Sequence, residues 1–277
     1  MVRLREPLTV LPPMRTLGIL DDLSITRQAA ILVGRELRAV GFTLDFAPVL
    51  DVDTHPNSPV IGDRSFSEHA RKVAEHGAAF GAGLADAGVT PCAKHFPGHG
   101  DAALDSHFTL PTVRHDRSRL DRVEMAPFDS WIRQRVGPIM TAHVMYPALD
   151  GNLPATLSPT IIGSHLRQRL GFDGTLFSDD LEMGAMGAFG EIGEVAVRAM
   201  AAGVDGLLVC RDEAKQLEVV EALSRRALED RLFEQRIEEA AAKLAALSFG
   251  RTDSHAFGWI GSDEHQQMQS RLLDALK

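Results

Sequence analysis

The chain has only two cysteines, Cys92 and Cys210, too few for a disulfide framework, and each sits in a short apolar run where a small buried hydrophobe fits. Both therefore read as reduced core thiols. No stretch approaches the ~18 consecutive apolar residues of a membrane span. The opening residues, Met1-Val2-Arg3-Leu4-Arg5-Glu6-Pro7, also lack the apolar heart of a secretion signal. No membrane partner is expected, and the expected location is cytoplasmic. Positive charge is in deficit: 29 Lys plus Arg face 38 Asp plus Glu, a formal net charge of -9. With no Lys/Arg-rich stripe, no nucleic acid partner is expected either. Linkers rich in Pro and Ser, low-complexity tracts and solenoid-length repeats are all missing. So is a glycine-rich dinucleotide fingerprint after any candidate strand. What remains is a folded globular chain of 277 residues, 44% hydrophobic and 24% charged, long enough for a sizeable core.

Between Leu44 and Cys210 short apolar runs alternate with longer amphipathic ones, the pattern of βαβ units and a parallel sheet. The candidate strands are Leu44 to Leu50, Val89 to Lys94, Pro138 to His143, Thr175 to Ser178 and Gly206 to Cys210. Crossover helices lie between them. Val73, Phe80 and Leu84 share one face with the small Gly77, and Leu217, Val220 and Leu223 step by three. A further helix carries both end signals: Ser158 as N-cap with Pro159 at the first position, and Gly171 just past Leu170 as the C-terminal cap. Polar clusters follow the strands (Asp51 and Asp53, Lys94 and His95, His143, then Asp179 and Asp180), which favours a TIM-type (β/α) barrel over a doubly wound sheet. About five β/α units are recognisable where a closed barrel needs about eight. A helical pattern runs from Asp230 onward, and the expected division is a barrel domain over 1–249 and a C-terminal helical extension over 250–277.

The densest chemistry is Lys94-His95-Phe96-Pro97-Gly98-His99-Gly100-Asp101, continuing to Asp105-Ser106-His107. Its glycines and proline make a surface loop after a strand. His95, His99, Asp105 and His107 offer metal ligands, but their spacing matches neither a helical His-Glu-x-x-His motif nor a Cys/His finger, so no metal is expected. Asp105 and His107 are two apart and can share one face of an extended stretch. A carboxylate there would orient the imidazole and favour its protonated form, giving a general acid; the other reading is a pair that only stabilises the loop. The second cluster is Phe177-Ser178-Asp179-Asp180-Leu181-Glu182-Met183. Asp180 reads as the N-cap of a following helix, and Asp179, next to the strand, as the better nucleophile. A third element, Ala47-Pro48-Val49-Leu50-Asp51 with Ile61-Gly62-Asp63-Arg64-Ser65-Phe66, sets an arginine in a turn; Asp51 or Asp63 is expected to hold Arg64 in place. Together Arg64, Lys94 and His95 make a wall able to donate hydrogen bonds to hydroxyls. Trp131, Trp259 and the phenylalanines read as core.

These three runs, in this order, resemble the β-N-acetylhexosaminidases of glycoside hydrolase family 3, and the resemblance extends from about Arg3 to Phe249. It implies a TIM-type barrel and a retaining double displacement on terminal β-linked N-acetylglucosamine, from cell-wall muropeptides or chitin fragments, without a cofactor. By the family pattern Asp179 is the nucleophile, and His107, polarised by Asp105, is the acid/base. Arg64, Lys94, His95 and Arg3 match positions that hold the sugar. The implied partner is a small-molecule carbohydrate, and the oligomeric state is left open. Two other readings stay open: a phosphorylase on the same scaffold, because a histidine in place of a carboxylate repels phosphate less, and a non-catalytic sugar-binding remnant.

The front of the chain departs from the family. Members carry an Asp-Gln-Glu-Gly-Gly-Arg stretch after earlier β/α elements, whereas here the sequence starts inside the matching region and lacks the sugar-gripping Asp. The expectation is therefore an N-terminally truncated barrel that is poorly soluble or nearly inactive as it stands, with an upstream extension restoring closure.

Overall fold

Parallel strands buried on both faces need near-continuous apolar sequence, and the apolar runs do become strands. A computed structural model of the chain describes residues 6–55, 60–102, 110–247 and 256–276. Two helices, α1 (Met14–Leu20) and α2 (Leu23–Ala39), precede β1 (Leu44–Asp45). There follow α3 (Ala70–Asp86), β2 (Thr90–Pro91), β3 (Ala93–Phe96), α4 (Arg117–Arg122), α5 (Ala126–Arg133) and β4 (Ile139–Thr141). A π-helix over Thr160–Arg169 leads to β5 (Leu176–Asp180), α6 (Ile192–Ala202), β6 (Gly206–Leu208), α7 (Glu213–Glu229), α8 (Arg231–Ala246) and α9 (Asp263–Ala275). Among the described residues no helix is long and apolar enough to cross a membrane.

Among the described residues the paired strands run parallel. β1 pairs with β2 at Leu44 and Thr90, and a bridge from Val49 to Lys94 carries the pairing on to β3. From there the order β3-β4-β5-β6 follows the chain without reversal. A doubly wound sheet needs a point where strand order reverses; this winding has none, and it is that of a barrel.

Most of the core lies between the strands and the outer helices. On α3 the face foreseen from sequence is buried: Val73, Gly77, Phe80 and Leu84. A Cβ on Gly77 would lie 2.2 Å from the Leu50 side chain, so glycine is what lets this helix sit so close to the strand run. Trp131 is buried and donates its indole N–H to the Gly137 carbonyl at 2.9 Å. A smaller cluster of Cys92, Met140 and Phe177 is covered by Phe46 and Leu208 and by Leu244 and Leu247 at the end of α8. Phe46 meets Phe177 edge to face with centroids 5.4 Å apart.

Helix α9 folds back on α2. Its His265 donates Nε2–H to the buried carboxylate of Glu36 at 2.8 Å, because Nδ1 already accepts from the Gly261 N–H at 3.0 Å. Glu36 also accepts from the Thr9 backbone N–H at 2.9 Å. Trp259, expected in the core, is only half-buried; it stacks at this seam against His265 and under Arg35.

Several local expectations need correction. Leu217 and Val220 do not face inward but are each 59% exposed; α7 buries Val219 instead, because it packs on α6 and α8 rather than on the sheet. Cys210 is an exposed thiol, since it stands past the end of β6, while Cys92 is buried as foreseen. Ser158 does cap its helix, accepting from Ile161 N at 3.0 Å, and Gly171 has the positive φ of +72° expected after a helix. The interior between them is π-wound, with Leu170 N bonding back to the His165 carbonyl. Asp180 caps no helix. The next turn, Gly184–Phe189, is 3-10 with Met183 at its N-cap, and Asp180 Oδ1 accepts from Glu182 N at 3.1 Å in a local turn.

Candidate active site

In a barrel the reactive groups stand at the C-terminal ends of the strands. Here β5 ends in Asp179 and Asp180, and β3 carries Lys94 and His95. The fold brings Asp179 and His95 together: Asp179 Oδ2 lies 3.9 Å from His95 Nε2. The other Asp179 oxygen accepts the Asp180 backbone N–H at 2.8 Å. Burial works to raise the Asp179 pKa, but His95, His143, that N–H and Lys94 outweigh it, and the net direction is downward. The group is thus a carboxylate at neutral pH, the form a nucleophile needs.

Asp51 is fully buried behind His95. Its Oδ2 meets His95 Nδ1 at 2.7 Å, and its Oδ1 accepts His99 N at 2.6 Å and His95 N at 3.2 Å. The expected role of Asp51 or Asp63 in holding Arg64 is therefore wrong. Arg64 instead donates to the Val60 carbonyl at 2.8 Å, and Asp63 is exposed in the same short turn. Arg64 and Lys94 both line a cavity of about 560 Å³ with Phe46, Asp45 and Met14, and Asp179 and His95 stand outside that lining. The Lys94 pKa is lowered, first by burial and then by Arg64, against the pull of Asp179 and Asp45.

Two further imidazoles complete the cluster. His143, after β4, is 1% exposed. Its Nε2 faces the Asp180 carbonyl at 3.1 Å, and its Nδ1 meets Thr156 Oγ1 at 2.7 Å. A carbonyl only accepts, so Nε2 carries the proton. Nδ1 faces the Thr156 hydroxyl, which also lies 2.9 Å from Thr141 Oγ1 and 3.1 Å from the Ala142 carbonyl. Burial lowers the His143 pKa, in keeping with this neutral form. His99 packs edge-on to His95 at 5.9 Å, and burial, with His95 beside it, pushes its pKa down to about 4.

The His99 shift has a testable consequence. Unfolded, a histidine titrates near about 6.5. Between that pH and about 4 the unfolded chain takes up a proton that the folded chain refuses. Stability therefore falls as pH drops through this window and is fully present above it. His99→Gln should remove about 3 kcal/mol of that loss, read as a flatter dependence of chemical unfolding on pH between 4 and 6.5. An unchanged slope would show that His99 is solvated. His143 adds to the same slope in the same direction.

Of the residues expected at the site, Asp179, His95, Lys94 and Arg64 are placed as above. Asp105, His107 and Arg3 lie outside the described residues. Among the described residues no three His, Cys, Asp or Glu side chains converge in a geometry that holds a metal ion. The roles of Asp51 and His143 were not foreseen. Both stand at strand ends in the sequence, but their partners lie on other strands.

Reactive side chains at the ends of parallel strands wound in chain order define a TIM-type barrel with an enzyme-like mouth. Comparison with known proteins sharpens this. Residues 1–247 match the glycosyl hydrolase family 3 N terminal domain, and the chain belongs to that family. The beta-hexosaminidase of Methylococcus capsulatus is 40% identical over 227 residues, 81% of this chain and 67% of that protein. That of Bordetella pertussis is 42% identical over 212 residues, covering 74% and 59%. A family 3 β-N-acetylglucosaminidase from a Paenibacillus species superposes with a TM-score of 0.91 at 40% identity, covering 99% of this chain and 54% of that one. NagZ from Neisseria gonorrhoeae, solved with N-trifluoroacetyl-D-glucosamine, superposes at 0.79 with 31% identity, over 100% and 78%. The chain thus spans about half to two thirds of the length of most of these relatives.

Proposed function

We propose that the chain provides the catalytic face of a retaining exo-glycosidase that hydrolyses terminal β-linked N-acetylglucosamine from cell-wall muropeptides or chitin fragments. The observation that carries this is Asp179: an ionised carboxylate at the end of β5, 3.9 Å from an imidazole. The names of the relatives, beta-hexosaminidase and β-N-acetylglucosaminidase, support the substrate class. In this reading Asp179 attacks the anomeric carbon and forms a glycosyl ester as the bond to the leaving oxygen breaks. His107, paired with Asp105, protonates that oxygen and in the second half takes a proton from the attacking water. Arg64 and Lys94 donate to sugar hydroxyls, His95 holds one through Nε2, and Arg3 completes the grip. The reading needs no cofactor. It places the protein in the cytoplasm, where the free thiols Cys92 and Cys210 stay reduced.

The test is turnover of aryl N-acetyl-β-glucosaminides that differ in leaving-group acidity, with products analysed with and without phosphate. Hydrolysis that ignores phosphate supports the reading, and a sugar phosphate product refutes it. If His107 is the acid, His107→Ala slows substrates with poor leaving groups by about 10²–10⁴-fold and spares good ones. Asp105→Ala acts in the same direction. Equal losses on every leaving group would assign both residues to binding.

A further inference from the structure

Asp51 has no part in the mechanism just given, yet three N–H groups converge on its buried side chain. Two are the backbone amides of His95 and His99, both on Oδ1, and the third is His95 Nδ1 on Oδ2. An ionised carboxylate can only accept, so the ring nitrogen facing it must carry a hydrogen. The ring's other nitrogen points the opposite way, to Asp179 Oδ2 at 3.9 Å. His95 is 5% exposed, and turning the ring over would break its 2.7 Å bond to Asp51.

We propose that Asp51 is a positioning residue: it commits His95 Nδ1 to a permanent N–H and so fixes Nε2 as the nitrogen presented to the site beside Asp179. The orientation of the imidazole follows from a residue 44 positions away on the neighbouring strand run. The groups facing His95 are Asp51, Asp179, His99 and His143. Of these, His99 and His143 are neutral rings in the ordinary pH range, and only Asp51 bonds the ring directly. The kinetic part of this inference rests on the glycosidase reading; the tautomer does not.

The experiment is nitrogen NMR of the histidine rings in the ¹⁵N-labelled full chain across a pH titration, with His95 assigned by the signals missing in His95→Gln. Nδ1 of His95 is expected to carry its hydrogen throughout the titration. In Asp51→Asn the amide oxygen keeps the two backbone N–H bonds on its side, which turns the NH₂ toward Nδ1. That nitrogen must then accept, and the ring is expected to switch to the Nε2–H tautomer. Turnover of an aryl N-acetyl-β-glucosaminide should fall by about 100-fold or more in kcat/KM, as when a carboxylate that fixes an imidazole tautomer is lost, with a changed pH–rate profile. A wild-type ring with Nδ1 unprotonated, an Asp51→Asn ring that keeps its Nδ1 hydrogen, or a switched ring with full turnover would each overturn the proposal. Should Asp51→Asn fail to fold, the wild-type titration alone decides it. Should neither the chain nor a version carrying the upstream extension show turnover, the glycosidase reading fails while the ring measurement still tests Asp51.

Discussion

Asp179→Asn is expected to lower turnover of aryl N-acetyl-β-glucosaminides by about a thousandfold or more while leaving sugar binding in place. The amide keeps the shape of the carboxylate, and its oxygen can still accept the Asp180 N–H that Asp179 Oδ1 now holds at 2.8 Å. What it loses is the negative charge that attacks carbon. That charge is held against burial chiefly by His95, and the neutral amide cannot replace it as a nucleophile. Asp180→Asn is the matched control. Its carboxylate accepts from Glu182 N in a local turn, an interaction an amide oxygen preserves. A fluorosugar that traps the glycosyl ester should label Asp179; labelling of Asp180, or equal losses in both variants, would refute the assignment.

The largest stability effect is expected at Asp205, far from this chemistry. Its buried carboxylate takes Arg167 at 2.8 Å on one oxygen and Arg236 at 2.5 Å on the other, and also accepts Leu176 N at 2.9 Å. One side chain thus joins the π-helix, α8 and the start of β5, just before β6 begins. Asp205→Ala leaves the Leu176 N–H without this acceptor and two neighbouring guanidinium charges without their shared counter-charge, each still bonded to a backbone carbonyl. Breaking a buried pair in this way costs about 3–5 kcal/mol, which for a chain of this size lowers the melting temperature by about 10 °C. Calorimetry or chemical unfolding reads this directly. A loss below about 1 kcal/mol would mean that the cluster is solvated and behaves as a surface pair.

Much of the fold was legible because buried parallel strands leave an unmistakable mark. The runs at Leu44, Val89, Pro138, Thr175 and Gly206 all become strands, since a strand covered on both faces has no room for a polar alternation. The caps at Ser158 and Gly171 were legible for a similar reason: each signal is local, and the chemistry acts within a few residues. The inward face of α7 was not. Leu217 and Val220 have the right spacing, but which stripe of a helix is covered depends on neighbours that spacing does not name. The candidate site divides the same way. Asp179 and His95 could be picked from their own strand ends, whereas Asp51 was assigned to Arg64, nearby in sequence. Its true partner is on another strand run, and only the register, with Val49 beside Lys94, brings the two together.

The seam between α2 and α9 also bears on when α2 can be covered during synthesis. Glu36 leaves the ribosome long before His265, which follows it by 229 residues. Throughout that interval the carboxylate and the adjoining face of α2 wait for a cover that has not yet been made. Helices α2 and α9 are thus one cooperative element joined by residues 229 positions apart. A stop codon ahead of residue 263 would therefore be felt at residue 36, with its damage appearing as early hydrogen exchange in α2.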